Sequence, residues 1–92
     1  MLSNQILHKA VQDIKRITGL DCAVWDMQGS CLVMTNEKMM VLDKKVMEFM
    51  SSGNKKTITS DEAYFLVCDE DEAVYALAIC GQSPAIEIYG EM

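Results

Sequence analysis

Ala63-Tyr64-Phe65-Leu66-Val67-Cys68-Asp69-Glu70-Asp71-Glu72-Ala73-Val74-Tyr75-Ala76-Leu77-Ala78-Ile79-Cys80 reads as two β-prone runs joined by four consecutive acids. Aromatic and β-branched side chains suit the pleated, half-buried surface of a strand, whereas adjacent carboxylates repel one another and stay in water. The stretch predicts an antiparallel hairpin with a solvated acidic tip. One hairpin is marginal in water, so its apolar face needs more strands or a helical cover.

Both are present upstream. Asp21-Cys22-Ala23-Val24-Trp25-Asp26 and Cys31-Leu32-Val33-Met34-Thr35 flank Met27-Gln28-Gly29-Ser30, where Asp before the turn and Gly inside it fit a hairpin whose Gly takes positive φ. Thr57-Ile58-Thr59 adds a brief strand. In residues 3–18, Ile6, Leu7, Ala10, Val11, Ile14 and Ile17 recur at helical spacing against a polar face, and Gly19 supplies the stop. Asn36 can cap a second helix over residues 37–52, with Met39, Leu42, Val46, Phe49 and Met50 as its stripe and Gly53 as its end. Pro84 then sits at a helix-opening position. The expectation is an α+β domain spanning residues 1–92: an antiparallel sheet of four to five strands with flanking helices, an amphipathic first helix and a truncated last one. The middle helix is placed to close a cavity over the sheet. A chain that stops at the start of a helix is expected to be the N-terminal fragment of a longer protein.

Composition narrows the function. Eight Lys plus Arg against fourteen Asp plus Glu give a net charge of −6, which disfavours direct binding to nucleic acid, because phosphates demand concentrated positive charge. Cys22, Cys31, Cys68 and Cys80 contain no Cys-x-x-Cys pair, His8 is the one histidine, and no secretory signal precedes them. Free thiols and a cytoplasmic location are expected. No apolar run is long enough to span a bilayer, so no membrane association is expected.

Nothing in the motifs suggests catalysis. A metal site needs converging ligands, a thiol nucleophile needs a base beside it, and neither a serine elbow nor a phosphate-binding glycine loop occurs. The acidic tip is too short for a calcium loop. The chain reads as a non-enzyme without cofactor or metal. Candidate ligand-contacting residues are Trp25, Tyr64 and Tyr75, which offer ring area and a polar tip on predicted strands, and the Lys55-Lys56 pair, two cations at the inferred sheet edge. Met39, Met40, Met47 and Met50 make an adaptable surface for a partner or ligand, or fill the core.

Asn4-Gln5-Ile6-Leu7-His8-Lys9-Ala10-Val11-Gln12-Asp13-Ile14 running into Val24-Trp25-Asp26-Met27-Gln28-Gly29-Ser30, with Leu77-Ala78-Ile79-Cys80-Gly81 before Pro84 and Tyr89-Gly90-Glu91, resembles the N-terminal sugar-diacid recognition domain of bacterial carbohydrate-diacid regulators. The resemblance covers most of the chain at low motif specificity. It implies a PAS-like sheet that holds a small ligand, and a helix-turn-helix of the purine-catabolism-regulator type beyond this segment. It also implies that Pro84 opens a connecting helix and that DNA is met only through that absent domain. No ligand-contacting residue is carried over from it.

Two functions follow as expectations. The first is a ligand-sensing regulatory domain for a small carboxylate or sugar-diacid-like metabolite, working as a homodimer. The alternative is a dimerisation module with no small-molecule ligand, using the first helix together with Met40, Val41 and Met47. Redox sensing is a weaker third, since Cys22 and Cys31 have no cation beside them in sequence.

Overall fold

In the computed structural model, which describes residues 3–81, helix α1 (Asn4–Thr18) opens the chain. Ser3 accepts a hydrogen bond from the Ile6 amide at 3.2 Å, and Gly19 closes the helix at φ +75°, its N–H donating to the Lys15 carbonyl. Only a residue without a Cβ adopts that left-handed conformation at no steric cost. Strands β1 (Asp21–Asp26) and β2 (Cys31–Met34) follow as the expected hairpin. The Asp26 carboxylate holds the turn by accepting from the amides of Gln28 and Ser30, both at 2.9 Å, and Gly29 sits at φ +90°.

The middle helix differs from expectation. Residues 37–42 form a 3₁₀ segment capped by Asn36, and α2 (Asp43–Ser51) continues from it. The apolar spacing explains the switch. Buried Met39 and Leu42 lie three apart, the period of the tighter helix, whereas Leu42, Val46 and Phe49 step by four and three, as an α-helix requires.

Strands β3 (Lys56–Ile58), β4 (Glu62–Asp69) and β5 (Glu72–Cys80) complete the structure. The acidic tip is a two-residue turn with Glu70 at φ +51° and Asp71 at φ +70°, the handedness that suits the twist of a hairpin. β1 pairs antiparallel with β5 from Asp21 opposite Cys80 to Asp26 opposite Tyr75, merging the two ribbons. The result is an α+β fold with a five-stranded antiparallel sheet in the order β2-β1-β5-β4-β3. The expected helix after Pro84 lies outside the described residues.

Helices cover both faces. On one face α1, resting mainly on β1 and β2, buries Leu7 and Val11 against Cys22, Val24, Val33, Tyr75 and Ile79. On the other, the 3₁₀ segment and α2 pack Met39, Leu42, Val46 and Phe49 onto Trp25, Tyr64 and a floor of Ala23, Ala76 and Ala78. The cavity expected between the sheet and the middle helix is therefore filled over most of its span. Small residues in the two central strands let the bulky ones opposite sink in until the layer is close-packed.

Candidate functional site

Among the described residues, two concavities stand out, one on each face. Where α2 overhangs the β3–β4 edge, a hollow of about 390 Å³ is lined by Lys45, Glu48, Phe49, Ser52, Asn54, Thr57, Thr59, Glu62 and Tyr64. α2 supplies the cation and β4 the anion: Lys45 Nζ reaches Glu62 Oε1 at 3.0 Å and Oε2 at 3.1 Å. Glu62 and Tyr64 are two apart on one strand and so share a face. The Tyr64 hydroxyl donates to Glu62 Oε1 at 2.8 Å, while its ring lies 5.7 Å from that of Phe49. Thr59 fixes the backbone of Glu62 by accepting from its amide at 3.0 Å and donating to its carbonyl at 3.1 Å.

Burial pushes the Tyr64 hydroxyl up from its ordinary range, and the hydrogen bond to Glu62 and the charge of that carboxylate push it further. The phenol stays a donor throughout the physiological range. One end of the hollow is thus a preset line of ammonium, carboxylate and phenol, flanked by hydroxyls and an amide. Such a set recognises hydroxyl groups and a single carboxylate by hydrogen bonding.

The second concavity is an apolar trough of about 500 Å³ on the α1 face, lined by Ile14, Ile17, Leu20, Phe65, Leu77 and Ile79, with Asp13 and Thr18 as polar members of its wall. It exists because α1 lies over β1 and β2 and leaves β4 partly uncovered by the described residues. No Lys or Arg is among the described residues that line it.

The residues singled out from sequence do not form one site. Tyr64 lines the polar hollow. Trp25 is fully buried under α2, its indole N–H donating to Asp43 Oδ1 at 2.6 Å, and contributes packing instead of ligand contact. Tyr75 is buried on the opposite face, in the α1 core. Lys55 and Lys56 are exposed at the start of β3, and the register of Lys56 opposite Phe65 sets it on the α1 face, away from the hollow. Sequence reasoning missed Lys45 and Glu62. The Glu62–Tyr64 alternation was a usable signal, but the seventeen-residue separation of Lys45 and Glu62 offered none.

Among the described residues, no group of three or more His, Cys, Asp or Glu is placed to hold a metal ion, and no helix is long and apolar enough to cross a membrane. Burial pushes the Cys22 thiol up to about 11, with the charge of Asp21 adding, and also raises Cys31 and Cys80. Those three thiols are poor nucleophiles at neutral pH. No protein-family model matches the chain, and no curated protein or solved structure matches it.

Proposed function

We propose that this chain is a non-catalytic sensing domain of a bacterial transcriptional regulator, and that it takes a small hydroxylated metabolite in the hollow between α2 and the β3–β4 edge. The observation that carries the reading is the Lys45–Glu62–Tyr64 line, whose polar tips converge from a helix and a strand on one open concavity. The sequence resemblance to sugar-diacid recognition domains supports the same role, and the mixed helix-and-sheet build agrees with a PAS-like scaffold. The charge pattern narrows the ligand. One cation, Lys45, faces two carboxylates, Glu48 and Glu62, so a dianion pays a repulsion that a neutral polyol or monocarboxylate avoids.

NMR titration tests this with gluconate and, as the diacid, glucarate. Gluconate should shift the amides of Lys45, Thr57, Thr59 and Tyr64, and Lys45→Ala should abolish the shifts. A stronger response to glucarate would overturn the narrowing, and the absence of any response in the hollow to either acid or to the neutral polyol sorbitol would overturn the sensing role.

A second reading has its own observation. Met40, Val41 and Met47 are 47%, 79% and 44% exposed around the 3₁₀ segment, an apolar patch that suits a self-association surface. Sedimentation velocity decides: a strict monomer at high concentration removes this reading, and a dimer lost on Val41→Asp establishes it.

A further inference from the structure

The two edges of the sheet differ in what guards them. β3 opens on the exposed Lys56, directly after the exposed Lys55, and lysine on an edge strand keeps it from pairing with another chain. β2, at the opposite edge, has no such guard. From Met27 to Asn36 the chain carries no Lys, Arg, Asp, Glu or Pro, although its formal net charge is −6. The register shift between Val24 and Trp25 lies at the turn end of the β1–β2 ribbon and leaves the stretch from Val33 to Thr35 regular.

The ladder itself shows what this edge presents. The Thr35 amide donates to the Cys22 carbonyl at 2.9 Å, and Met34 faces Ala23 at the next position. Positions on an antiparallel strand alternate between bonding to the neighbour and pointing away from it, so the amide and carbonyl of Met34 point away from β1. Among the described residues, no strand lies beyond them. An apolar flank continues the edge. The 3₁₀ segment rests on β1 and β2 and leaves Met40 47% and Val41 79% exposed. Met47, also exposed, sits against the β1–β2 turn, where its Sδ would lie 2.5 Å from a Cβ at Gly29.

A second copy of the chain fits this surface. It brings the same net charge of −6, so it approaches most easily where neither surface adds charge, as along β2. Two identical edge strands meeting antiparallel satisfy each other's Met34 groups about a twofold axis, and the contact closes. Pairing β2 with β3 would instead leave an open edge on each copy and propagate, which the lysine on β3 opposes.

We propose that β2 pairs antiparallel with β2 of a second copy, joining the two sheets into one, with Met40, Val41 and Met47 packed across the seam. This seam rests on the self-association reading and adds to it the strand edge that joins the copies.

Amide hydrogen exchange on the full chain tests it, at concentrations below and above the dimerisation midpoint found by sedimentation. Exchange at the Met34 amide should be fast in dilute protein and slow about tenfold or more in the dimer, whereas the Val33 amide, turned toward β1 by the same alternation, should be protected in both. A strict monomer removes the self-association reading and the seam together. A dimer whose Met34 amide stays as labile as in dilute protein overturns the seam alone, and so does protection already present in the monomer. Val41→Asp, at an exposed position, should leave the fold intact, dissociate the dimer and return the Met34 amide to fast exchange. A dimer that survives this substitution overturns the packing of the apolar flank across the seam.

Discussion

Beneath α2, Val46 and Trp25 are wholly buried against a floor of alanines, whereas beneath α1, Ile17 stands 68% exposed and Phe65 and Leu77 are only partly covered. The same strands supply both faces, so the difference lies in which residues alternate. β5 places Ala76 and Ala78 toward α2 and Tyr75, Leu77 and Ile79 toward α1. Small residues invite the overlying helix down, and large ones hold it off and to one side. Among the described residues, the close-packed face keeps a concavity at its margin, the polar hollow. The loosely covered face keeps an apolar trough.

Matched truncations put this contrast to its strongest test. Phe49→Ala removes a ring that is 5% exposed and caught between α2 and Tyr64, and should cost about 3–5 kcal/mol, the range for a buried Phe with little room to collapse. Phe65→Ala, on the trough wall, should cost roughly 1–2 kcal/mol, since part of the ring is already in water or in a gap. Urea midpoints of the two variants measure the gap. Equal losses would erase the distinction between the faces.

The closed face also carries a partly buried polar contact. Asp43→Ala deprives the indole N–H of the buried Trp25 of its acceptor at a partly buried site, and should destabilise by about 1–3 kcal/mol. Asp43→Asn keeps an acceptor and should recover most of that loss. A silent Asp43→Ala would mean that the indole finds another partner and that packing alone closes this layer.

A smaller effect is expected at Gly29, where the β1–β2 turn touches α2. A Cβ there would lie 2.5 Å from Met47 Sδ, and the backbone is at φ +90°. Gly29→Ala should cost roughly 1–2 kcal/mol from the backbone alone. Adding Met47→Ala relieves the contact but not the dihedral, so the double variant should regain only part of the loss. Full recovery would show that contact with α2, and not the turn, sets this glycine.

Much of the fold was readable because its signals are local. Asp26 and Gly29 announced the first turn, the acids at residues 69–72 the second, and Gly19 the end of α1. The break between the 3₁₀ segment and α2 was less visible, although the three-residue step from Met39 to Leu42 carried it. What sequence did not reveal is non-local. The β1–β5 register decides that Trp25 and Tyr75, alike on paper as aromatic strand residues, face opposite layers. Lys45 and Glu62 meet across a helix and a strand with nothing in their neighbourhoods to link them. The lysines at positions 55 and 56 looked like ligand contacts because they stand out by charge, but the alternation of a three-residue edge strand turns Lys56 to the other face.

The loosely covered face has a polar tether at the end where α1 meets β1, and acid should reveal it. Lys15 Nζ lies 3.0 Å from Asp21 Oδ1, and the Thr35 hydroxyl donates to the same oxygen at 3.0 Å while accepting from the Cys22 amide. Burial disfavours the Asp21 carboxylate, yet the hydrogen bonds from Lys15 and Thr35 and the Lys15 charge outweigh it and hold its pKa below the ordinary 3.8. A carboxyl depressed in the folded state stabilises fully above its unfolded value, and that contribution is lost as pH falls through the folded one. The stability gap between the native chain and Asp21→Asn should therefore be constant from neutrality to about pH 5 and close below 3.8. Urea midpoints across that range measure it, and hydrogen exchange locates it. Protection should fall first in the last turn of α1 and remain in α2, because only the former is tied down through Asp21. A gap that persists in acid, or one that loosens α2 equally, would mean that α1 is held by its apolar stripe and not by this tether.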